Sequence, residues 1–515
     1  MKLLGIRLDE HDASYCYYDN GSVKYIKTER YYQEKHHAYS AQYAWASDFK
    51  KFFNEDPATI DEIAIVADPV RYVSTDVNPN QEYNECIDWN LPGAKCPVYH
   101  IEHHLAHALS GWMEEPTDYQ FVFDGVGEVS SNDQTYHGVT WSVFKDYKLV
   151  DRNVSKFYPR TQKNITVSNS FGVEYENCAR YCGLTADHPN DLAGKLMSLQ
   201  SYGTIDYDYA ESILDKIKDE KIISEHLHPQ NWFDYKNSDI VAENTKLDFA
   251  ATNHYISQQL IMRIIAKNLQ HNNYKIFLSG GCALNICWNT TIKKTYKNTL
   301  VLPHSADDGL SIGALGYLLR KHNIKCTMKN FPYCQFDEGT EVATDDTIER
   351  AATMLAEGKV IGWYQGNGEV GPRALGNRSI LVNPVLPHVK DLINSKVKNR
   401  ESYRPFGASV LKEYYANYFD IPFEDPHMLY LAGVKKYIPA ITHVDKTCRI
   451  QTVDDTNPVY KKLIEKFHKK TGVPLLLNTS LNLGGKPIAG WKQNALELFE
   501  TTNLDAMIIG NDIHV

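Results

Sequence analysis

The sequence contains little that would place the chain in a membrane or in a disulfide-rich class. No apolar stretch approaches the ~20 residues needed to cross a bilayer. The start, MKLLGIRLDEHDAS, introduces charged side chains too early for the apolar core of a signal peptide. The ten cysteines include no CxxC pair, which disfavours zinc ribbons and disulfide frameworks and favours reduced, mostly buried thiols. We therefore expect a cytoplasmic protein with no membrane partner.

The sequence also lacks an excess of positive charge. Its 54 Lys and Arg residues stand against 64 Asp and Glu residues, which gives a net charge of −10. A surface of this sign repels the phosphate backbone, so a nucleic-acid partner is disfavoured. What remains is an ordinary globular composition over 515 residues, 43% of them hydrophobic. A chain of this length usually divides among more than one hydrophobic core, so it predicts two large domains.

The order of β-prone and helical segments predicts an α/β fold. Three short β-prone runs, LLGIRL, SYCYY and SVKYIK, are separated by turn-formers and predict a strand, a tight turn and two more strands, a start that suits an actin-like ATPase domain. Buried strands such as EIAIV, PVYHI, QFVFDG, KIFLSGG and NTLVLP then alternate with helical stretches. We predict helices at about 102–114, 191–201, 248–270, 283–294 and 310–320.

A domain boundary is expected near residues 335–342. The stretch at 325–345 lacks clear periodicity, and a new helix-then-strand pattern, DTIERAATMLAEG followed by KVIGWYQ, begins after it. We therefore divide the chain into domains 1–338 and 339–515. When the charges are divided at residue 335, the net charge is −9 in the first part and −1 in the second, so the second part is close to neutral.

A cationic segment lies in this near-neutral second part. Residues 373–404 hold seven Lys and Arg side chains against two acidic ones. Such a concentration suits a small, multiply charged anion, because guanidinium groups bind phosphate oxygens in pairs. The alternative is a solvated basic helix face, the commoner origin of such a run. The cations are Arg373, Arg378, Lys390, Lys396, Lys398, Arg400 and Arg404.

Two motifs in the second part support the anion-binding interpretation. In NGEVGPRALGNRSIL, turns at glycine and proline can orient Arg373 and Arg378 toward a phosphate. In a separate segment, NRESYRPFGASVL, a proline fixes the backbone directly after Arg404. VPLLLNTSLNLGGKP predicts a buried strand that ends in Asn478 and Ser480, which offer neutral hydrogen-bonding groups. These strand-end residues could equally be simple turn-formers.

The first part contains a histidine pair with metal-binding spacing. His103 and His107 in HIEHHLAHALSGW are four residues apart in a predicted helix, so they share one face and can bind one divalent ion. Asp124, at the end of the predicted strand QFVFDGVGE, is a candidate third ligand. Asp307 and Asp308 in HSADDGLSIGALG offer a further carboxylate. The alternatives are an accidental histidine pair, a turn aspartate and helix-capping aspartates.

Glycines at another strand-to-helix junction indicate a phosphate contact. LSGGCALN joins a predicted strand to a helix through Gly280 and Gly281, so backbone amides there can face a nucleotide. Lys195, beside a glycine in AGKLMSLQSYG, is a less specific phosphate contact, and a surface lysine is its alternative.

These motifs, in their order along the chain, resemble one enzyme family. HHLAHA, FDGVGE, LSGGCALN, GPRALGNRS, KNRESYRPF, THVDKTCRIQTV and LLLNTSLN strongly resemble the O-carbamoyltransferases of the nodulation protein U, cephem and tobramycin type. The resemblance covers nearly the whole chain. It implies an actin-like first domain of the sugar-kinase and actin superfamily, similar to the tRNA threonylcarbamoyl-transfer protein, fused to a YrdC-like second domain.

The resemblance also implies the chemistry of the second domain. There the family joins carbamoyl phosphate and ATP into carbamoyl-adenylate with release of pyrophosphate, and the first domain passes the carbamoyl group to an alcohol. By motif position, Arg373, Lys398 and Arg404 would contact carbamoyl phosphate, and Asn478 and Ser480 would complete the pocket. Arg449 is a weaker candidate for a nucleotide phosphate. Clustered cations would offset the repulsion between two phosphate-bearing substrates.

For the first domain the resemblance implies a metal centre of His103, His107, Asp124 and Asp307. Asp307 is preferred over Asp308 because the family's motif at this position is Asp-x-Gly, and Asp307 is the first residue of Asp307-Asp308-Gly309. Fe(II) is the family's usual ion, although the ligand set suits other first-row divalent ions, and Mg²⁺ could accompany ATP.

The remaining correspondences concern the nucleotide and the acceptor. Lys195, Gly280, Gly281 and Asn285 fall on the family's nucleotide-binding elements. His11 in DEHDAS matches its early histidine and is a candidate base for the acceptor hydroxyl, or else a hydrogen-bonded loop histidine.

The expected function is an ATP-dependent O-carbamoyltransferase acting on a small molecule such as a sugar, nucleoside or antibiotic precursor. Three motifs differ from the residues usual in the family, which favours a divergent acceptor. They are GKLMSLQ, HVDKT and NTSLN. The alternatives are tRNA threonylcarbamoylation, which the net charge opposes, and a non-catalytic nucleotide-binding scaffold. A homodimer is compatible with the sequence.

Overall fold

The computed structural model describes residues 1–8, 11–39, 44–67, 87–88, 90–127, 129–132, 135–157, 169–236, 243–336, 340–398 and 401–515. Its strands are β1 Lys2–Arg7, β2 Ser14–Asp19, β3 Ser22–Lys27, β4 Glu62–Val66, β5 Ile87–Asp88, β6 Val98–His100, β7 Tyr119–Phe123, β8 Val129–Asn132, β9 Thr135–Lys145, β10 Lys148–Phe157, β11 Ile276–Ser279, β12 Thr299–Val301, β13 Ile361–Tyr364, β14 Arg378–Val382, β15 Gly407–Leu411, β16 Phe419–Asp420, β17 Leu431–Val434, β18 Thr447–Val453, β19 Leu475–Ser480, β20 Ala506–Ile509 and β21 Asp512–His514.

Helices connect most of these strands. They are α1 Thr28–Tyr32, α2 Trp45–Phe53, α3 His103–Leu109, α4 Phe171–Tyr181, α5 Asp191–Leu199, α6 Tyr207–Lys216, α7 Ser224–Leu227, α8 Pro229–Lys236, α9 Glu243–Asn268, α10 Ile286–Thr295, α11 Leu310–Lys321, α12 Asp345–Ala356, α13 Val389–Ile393, α14 Tyr415–Tyr418, α15 Pro458–Thr471 and α16 Lys492–Thr501. The predicted α/β class and the five predicted helices are confirmed, with the first helix shorter than expected.

The described residues divide into two compact units. The first unit is Met1–Ile63, Leu91–Cys96 and Leu319–Val515, and the second is Ala64–Asn90 and Pro97–Leu318. This grouping differs from the predicted domains 1–338 and 339–515, because the N-terminal strands pack with the C-terminal part. The predicted dividing point itself lies at 337–339, outside the described residues.

The first unit is built on a nine-stranded mixed sheet. Its strand order is β16-β17-β18-β15-β19-β14-β13-β20-β21. Helices α12 and α15 contribute an apolar face to its core, where Trp363, Leu355, Leu463 and Phe467 are fully buried. In α12 the buried positions recur with the helical period, so local periodicity predicts this helix correctly.

Specific hydrogen bonds explain why the N-terminal strands belong to the first unit. Strands β1, β2 and β3 form an antiparallel meander. The amide of Phe336 donates to the carbonyl of Tyr25 (2.5 Å), and the amide of Gln335 donates to the carbonyl of Gly368 (3.1 Å). The side chain of Gln335 also accepts from the amide of Lys27 (3.1 Å). Residues 335–336 therefore join β3 to the segment that precedes β14.

The second unit contains a six-stranded sheet with the order β10-β9-β7-β11-β12, in which β8 also pairs with β9. Strand β11 is parallel to both β7 and β12. The carboxyl ends of parallel strands meet at one edge of a sheet, where α/β folds commonly bind ligands. Asp124 directly follows β7 and Gly280 directly follows β11, so both residues lie at this edge.

Two expectations about composition can be compared with the described residues. Among them, no helix combines the length and the apolar character required to span a membrane. The cysteines at nine of the ten positions carry free thiols, and five of these residues are buried. Cys86 lies outside the described residues.

Candidate metal and anion sites

Helix α3 positions the two predicted histidine ligands. The side chain of Glu102 accepts a hydrogen bond from the amide of Leu105 (2.8 Å) and so caps the helix at its start. Because His103 and His107 are one helical turn apart, their rings lie on the same face, with centroids 4.9 Å apart. Both residues are buried. His104 points elsewhere, and its Nδ1 lies 2.9 Å from the Ser142 hydroxyl.

Two carboxylates from sequence-distant segments face these histidines. Nε2 of His103 lies 3.1 Å from Oδ2 of Asp124 and 3.6 Å from Oδ1 of Asp307. Nε2 of His107 lies 3.6 Å and 3.3 Å from the same two oxygens. All four side chains are buried, and one ligand atom from each lies within 4.8 Å of the others. Asp307, and not Asp308, belongs to this group.

The four side chains strongly influence one another's protonation. Burial alone would lower the pKa of His103, but the charge of Asp307 and the bond to Asp124 outweigh it and raise that pKa well above its ordinary value. Burial would likewise raise the pKa of Asp124, yet its contacts with His103 and His107 hold that pKa well below the usual range. The Asp124 carboxylate is therefore charged, as a metal ligand must be.

The donor set fits a divalent first-row metal ion. Two imidazole nitrogens and two carboxylate oxygens in a buried pocket form a set that such ions accept. Nε2 of His107 is buried and faces both carboxylate oxygens at 3.6 Å and 3.3 Å, which is longer than an ordinary N–H···O hydrogen bond. Oδ1 of Asp124 accepts from the amide of Gly281 (2.8 Å), which leaves Oδ2 to face the histidines.

The predicted nucleotide-binding glycines lie beside this cluster. Gly280 has a φ of +86°, and a Cβ atom there would lie 2.2 Å from the carbonyl oxygen of Phe123. Only glycine allows this close approach of the two strand ends. Asn285 caps α10, because its side-chain oxygen accepts from the amides of Cys287 (3.2 Å) and Trp288 (3.3 Å).

Lys195 lies on α5, away from the glycine junction in sequence. Its ammonium donates to the carbonyl of Thr185 (2.7 Å), and the contact is exposed to solvent. The role of Lys195 as a phosphate contact stays a prediction.

The first unit brings three of the predicted arginines together. Burial lowers the pKa of Arg373 well below its ordinary value, and the nearby positive charges of Arg449 and Arg404 lower it further. Arg449 is affected in the same direction by burial and by Arg404. The Nε atoms of Arg373 and Arg449 are buried without hydrogen-bond partners. A pocket lined by mutually repelling guanidinium groups with unused donors suits a polyanion.

One buried carboxylate lies near these arginines. Asp425 is fully buried and accepts hydrogen bonds from the amides of His427, Leu429 and Tyr430. Burial raises its pKa to about 7, although those amides and the charge of Arg449 act in the opposite direction. A second carboxylate, Glu401, lies 3.7 Å from the Arg404 guanidinium. Two carboxylates offset only part of the charge of three guanidinium groups, so the cluster retains positive charge.

Asn478 contacts the loop that carries Arg373. Its Nδ2 donates to the carbonyl of Ala374 (3.1 Å) and to the hydroxyl of Ser409 (3.0 Å). Because the carbonyl of Ala374 can only accept, these bonds fix the orientation of the amide. Oδ1 of Asn478 is consequently left buried without a partner.

Lys398 and Ser480 also lie together. The ammonium of Lys398 donates to the carbonyls of Ser480 (2.6 Å) and Asn482 (2.9 Å) and lies close to both side-chain oxygens. An ammonium has three donors, so these bonds already engage it. Lys398 thus ties the end of a π-helical turn, Asn394–Lys398, to the residues at the end of β19.

The other residues singled out from sequence have separate surroundings. Arg378 is fully buried, donates to the carbonyls of Gln365 and Gly366, and stacks on the ring of Tyr364 at 3.5 Å. Arg400 lies outside the described residues.

His11 belongs to a polar cluster in the first unit. Its Nδ1 lies 2.9 Å from Oδ2 of Asp12. Asp12 is buried, adopts a φ of +57°, and also contacts Lys27 (2.8 Å) and His36 (3.2 Å). Backbone strain in a non-glycine residue is uncommon outside functional or tightly constrained sites.

Two buried acids near the arginines were missed in the sequence. Asp425 sits in an unremarkable PFEDPHML stretch, and no local pattern reveals it. Glu369 lies in the motif NGEVGPRALGNRSIL, where a lone acidic residue inside a Gly- and Pro-bearing loop was a usable signal. Its side chain accepts three backbone hydrogen bonds.

Comparison with known proteins identifies the family. Residues 91–315 match the family model of the carbamoyltransferase N-terminus, and residues 352–514 match that of the carbamoyltransferase C-terminus. Nodulation protein NolO of Bradyrhizobium diazoefficiens is 32% identical over 452 residues, which are 80% of this chain and 78% of that protein. The 3'-hydroxymethylcephem-O-carbamoyltransferase of Amycolatopsis lactamdurans is 29% identical over 343 residues, 62% of this chain and 64% of that protein.

Among solved structures, HypF of T. kodakarensis matches with a TM-score of 0.40 and 12% identity, covering 63% of this chain and 48% of that one.

The sequence matches define the class of protein as an enzyme that transfers carbamoyl groups. The chain belongs to the carbamoyltransferase family, and the resemblance drawn from its motifs is confirmed.

Proposed function

We propose that this enzyme is an ATP-dependent O-carbamoyltransferase for a small-molecule alcohol. In this scheme water first cleaves carbamoyl phosphate to carbamate and inorganic phosphate. A carbamate oxygen then attacks the α-phosphate of ATP and displaces pyrophosphate, which gives carbamoyl-adenylate. The acceptor hydroxyl then attacks the carbamoyl carbon and displaces AMP. The first part of the chain would have the actin-like fold and the second the YrdC-like fold.

The convergence of Arg373, Arg404 and Arg449 is the observation that carries this proposal. These residues come from three different segments. The charges of Arg449 and Arg404 lower the pKa of Arg373 beyond the effect of burial, and the charge of Arg404 does the same for Arg449. Holding like charges together costs free energy, which an anionic ligand recovers. A preorganised cationic pocket can bring two phosphate-bearing substrates together and stabilise charge that develops on phosphorus.

The surroundings of Asn478 are consistent with a carbamoyl donor in particular. Carbamoyl phosphate carries an N–H donor as well as phosphate oxygens, and the buried Oδ1 of Asn478 lacks a partner. Acetyl phosphate has a methyl group where carbamoyl phosphate has this amine. A site built to bond an N–H group discriminates strongly against an analogue that lacks it, so acetyl phosphate should be a poor donor.

The His103, His107, Asp124 and Asp307 cluster would hold a divalent ion, with Fe(II) the first candidate. When bound, such an ion supplies Lewis acidity toward phosphoryl and carbonyl oxygens. Gly281 would keep Asp124 oriented toward the site through its amide bond.

For the transfer step, His11 is the candidate base for the acceptor hydroxyl. Asp12 bonds to its Nδ1, an arrangement that orients an imidazole and favours proton acceptance at the other ring nitrogen. A sugar, nucleoside or antibiotic precursor would be the acceptor.

The proposal is tested by incubating the full chain with ATP, Mg²⁺, Fe(II), carbamoyl phosphate and a panel of alcohols. We expect release of pyrophosphate and the mass gain of one carbamoyl group on one class of acceptor. Arg404→Ala should abolish pyrophosphate release, whereas His107→Ala should retain it and lose transfer. Failure of the wild-type protein to release pyrophosphate, or loss of the same partial reaction in both variants, would contradict the proposal.

A further inference from the structure

The loop that presents Arg373 is organised around one buried carboxylate. Glu369 has 0% of its surface exposed, and its Oε1 accepts hydrogen bonds from three backbone amides of the same loop. These are the amides of Leu375 (2.7 Å), Asn377 (2.8 Å) and Arg378 (3.1 Å). Arg373 therefore lies in the short segment between Glu369 and Leu375, and the hydrogen bond between these two residues closes that segment into a loop.

The carbonyl groups of this loop bond to other segments of the first unit. The carbonyl of Leu375 accepts from the hydroxyl of Tyr333 (2.9 Å) and from Nε2 of Gln451 (2.8 Å). The carbonyl of Ala374 accepts from Asn478 (3.1 Å). Two sets of hydrogen bonds therefore restrain the loop. Side chains of other segments donate to its carbonyl groups, and its own Glu369 accepts from its amides.

The backbone path between these anchors depends on glycines. Gly371 and Gly376 have φ values of +87° and +111°, and a Cβ atom at Gly376 would lie 2.1 Å from the ring of Tyr460. Glycine permits this path, but it permits many others as well. The hydrogen bonds to Glu369 select one path among them, and that path determines where the Arg373 side chain begins.

We propose that Glu369 is a positioning residue for donor activation, because it holds the loop in the conformation that directs Arg373 to the carbamoyl-phosphate site. The inference rests on the proposed function, in which Arg373 contacts that donor. A carboxylate oxygen suits the task, since it can accept several amide hydrogen bonds and forms stronger ones than a neutral oxygen. Glu369 acts through Arg373 and need not touch the substrate.

Three substitutions in the full chain test this role. Glu369→Gln retains an acceptor oxygen at the same place, whereas Glu369→Asp is one methylene too short to reach all three amides and Glu369→Ala removes the acceptor. We expect Glu369→Gln to keep most of the pyrophosphate-forming activity. The other two variants should lower kcat/KM for carbamoyl phosphate on the order of 100-fold, as small misplacements of a substrate-orienting group do. Most of the change should be in KM for carbamoyl phosphate, with KM for ATP unchanged.

A stability control separates positioning from general destabilisation. Leu355→Ala removes a fully buried side chain from the core of the same unit, far in sequence from the loop, and should lower Tm without changing KM for carbamoyl phosphate. If Glu369→Ala does not fold, the comparison of Glu369→Asp with Glu369→Gln decides the outcome.

Two results would overturn the inference. One is a wild-type KM for carbamoyl phosphate in the Asp and Ala variants that fold, and the other is Glu369→Gln being as impaired as Glu369→Asp. Wild-type protein that forms no pyrophosphate at all would instead show that the proposed function is wrong.

Discussion

At the scale of single residues, the surroundings of a side chain decide its chemistry more than its type does. Neighbouring histidines of α3 illustrate this. His103 faces Asp124 and Asp307, and its pKa is raised. His104 is buried next to the Ser142 hydroxyl, and burial together with the charge of His103 lowers its pKa well below the ordinary value. His103 thus faces two carboxylates in the candidate metal site, whereas its neighbour His104 lies beside a neutral hydroxyl.

The metal site yields the first prediction, which compares His107→Ala with His104→Gln. Removal of His107 deletes one of four candidate ligands and should reduce Fe(II) affinity by more than the ~10- to 100-fold typical of an outer-shell partner. His104→Gln, which changes a residue outside the candidate ligand set, should lower the Fe(II) affinity by no more than that factor. The iron content of each variant after reconstitution with Fe(II), measured by elemental mass spectrometry, distinguishes the two variants. Equal metal content in both variants would remove His107 from the site.

A buried acid on α4 yields the second prediction, which concerns pH. Burial raises the pKa of Glu174 to about 8, from an ordinary value of 4.5. Between these pH values the unfolded chain has released the proton and the folded chain retains it, so stability falls as pH rises through this window. The fall is limited to roughly 1.4 kcal/mol per pH unit. Glu174→Gln should flatten this dependence in denaturant titrations at a series of pH values.

The control for this pH experiment is Glu357→Gln, which makes the same substitution at an exposed position. This variant and the wild-type protein are titrated alongside Glu174→Gln. A Glu174→Gln variant with an unchanged slope would mean that this carboxyl group does not hold its proton in the folded state.

At the scale of structural elements, junctions between strands and helices build the metal site. Asp124 and Gly280 follow the adjacent parallel strands β7 and β11, so the sheet itself brings the two residues together. The approach is so close that the chain at Gly280 leaves no room for a side chain against the carbonyl of Phe123.

This junction yields the third prediction, which compares Gly280→Ala with Gly183→Ala. Both glycines have a positive φ, +86° and +82°, but a Cβ atom meets the Phe123 carbonyl only at Gly280. Gly183→Ala should cost about 1 kcal/mol of unfolding free energy from backbone conformation alone. Gly280→Ala should cost more, and should also weaken metal binding because Asp124 is displaced. Equal losses of stability would show that the close approach has no energetic consequence.

At the scale of the whole molecule, the compact units do not follow the order of the chain. The first unit combines the N-terminal strands with the C-terminal part. Arg30 shows the connection at atomic detail, because its buried guanidinium donates to the carbonyl of Gly371 (2.6 Å), two residues before Arg373. The N-terminal segment thus helps to hold the loop of the proposed donor site.

The fourth prediction follows from this arrangement and concerns the fragment 339–515. It lacks Arg30 and Gln335, which bond to Gly371 and Gly368, so its part of the unit loses these restraints. We expect the isolated fragment to unfold without a sharp cooperative transition in denaturant, and co-expression with 1–338 to restore soluble protein. A fragment with wild-type cooperativity on its own would contradict the assignment of units.

The sequence by itself determined the α/β class, six of the sixteen α-helices in the described residues, and the family. These properties depend on local periodicity and on motif order, and both are readable from neighbouring residues. The pairing of His103 with His107 was predictable for the same reason, since one helical turn relates them. The roles of these residues, and of His11 and Lys195, remain predictions.

Only the tertiary structure decided which distant groups meet. The convergence of Arg373, Arg404 and Arg449, the bonding of Lys398 to the end of β19, and the membership of residues 1–63 in the first unit all depend on pairing between strands far apart in sequence. Local patterns do not encode such pairings, because they arise from the burial of whole sheet and helix faces against one another. Glu369 and Asp425 escaped prediction for a different reason. Their partners are nearby backbone amides, and the burial of a carboxylate against such amides leaves no distinctive residue types in the sequence.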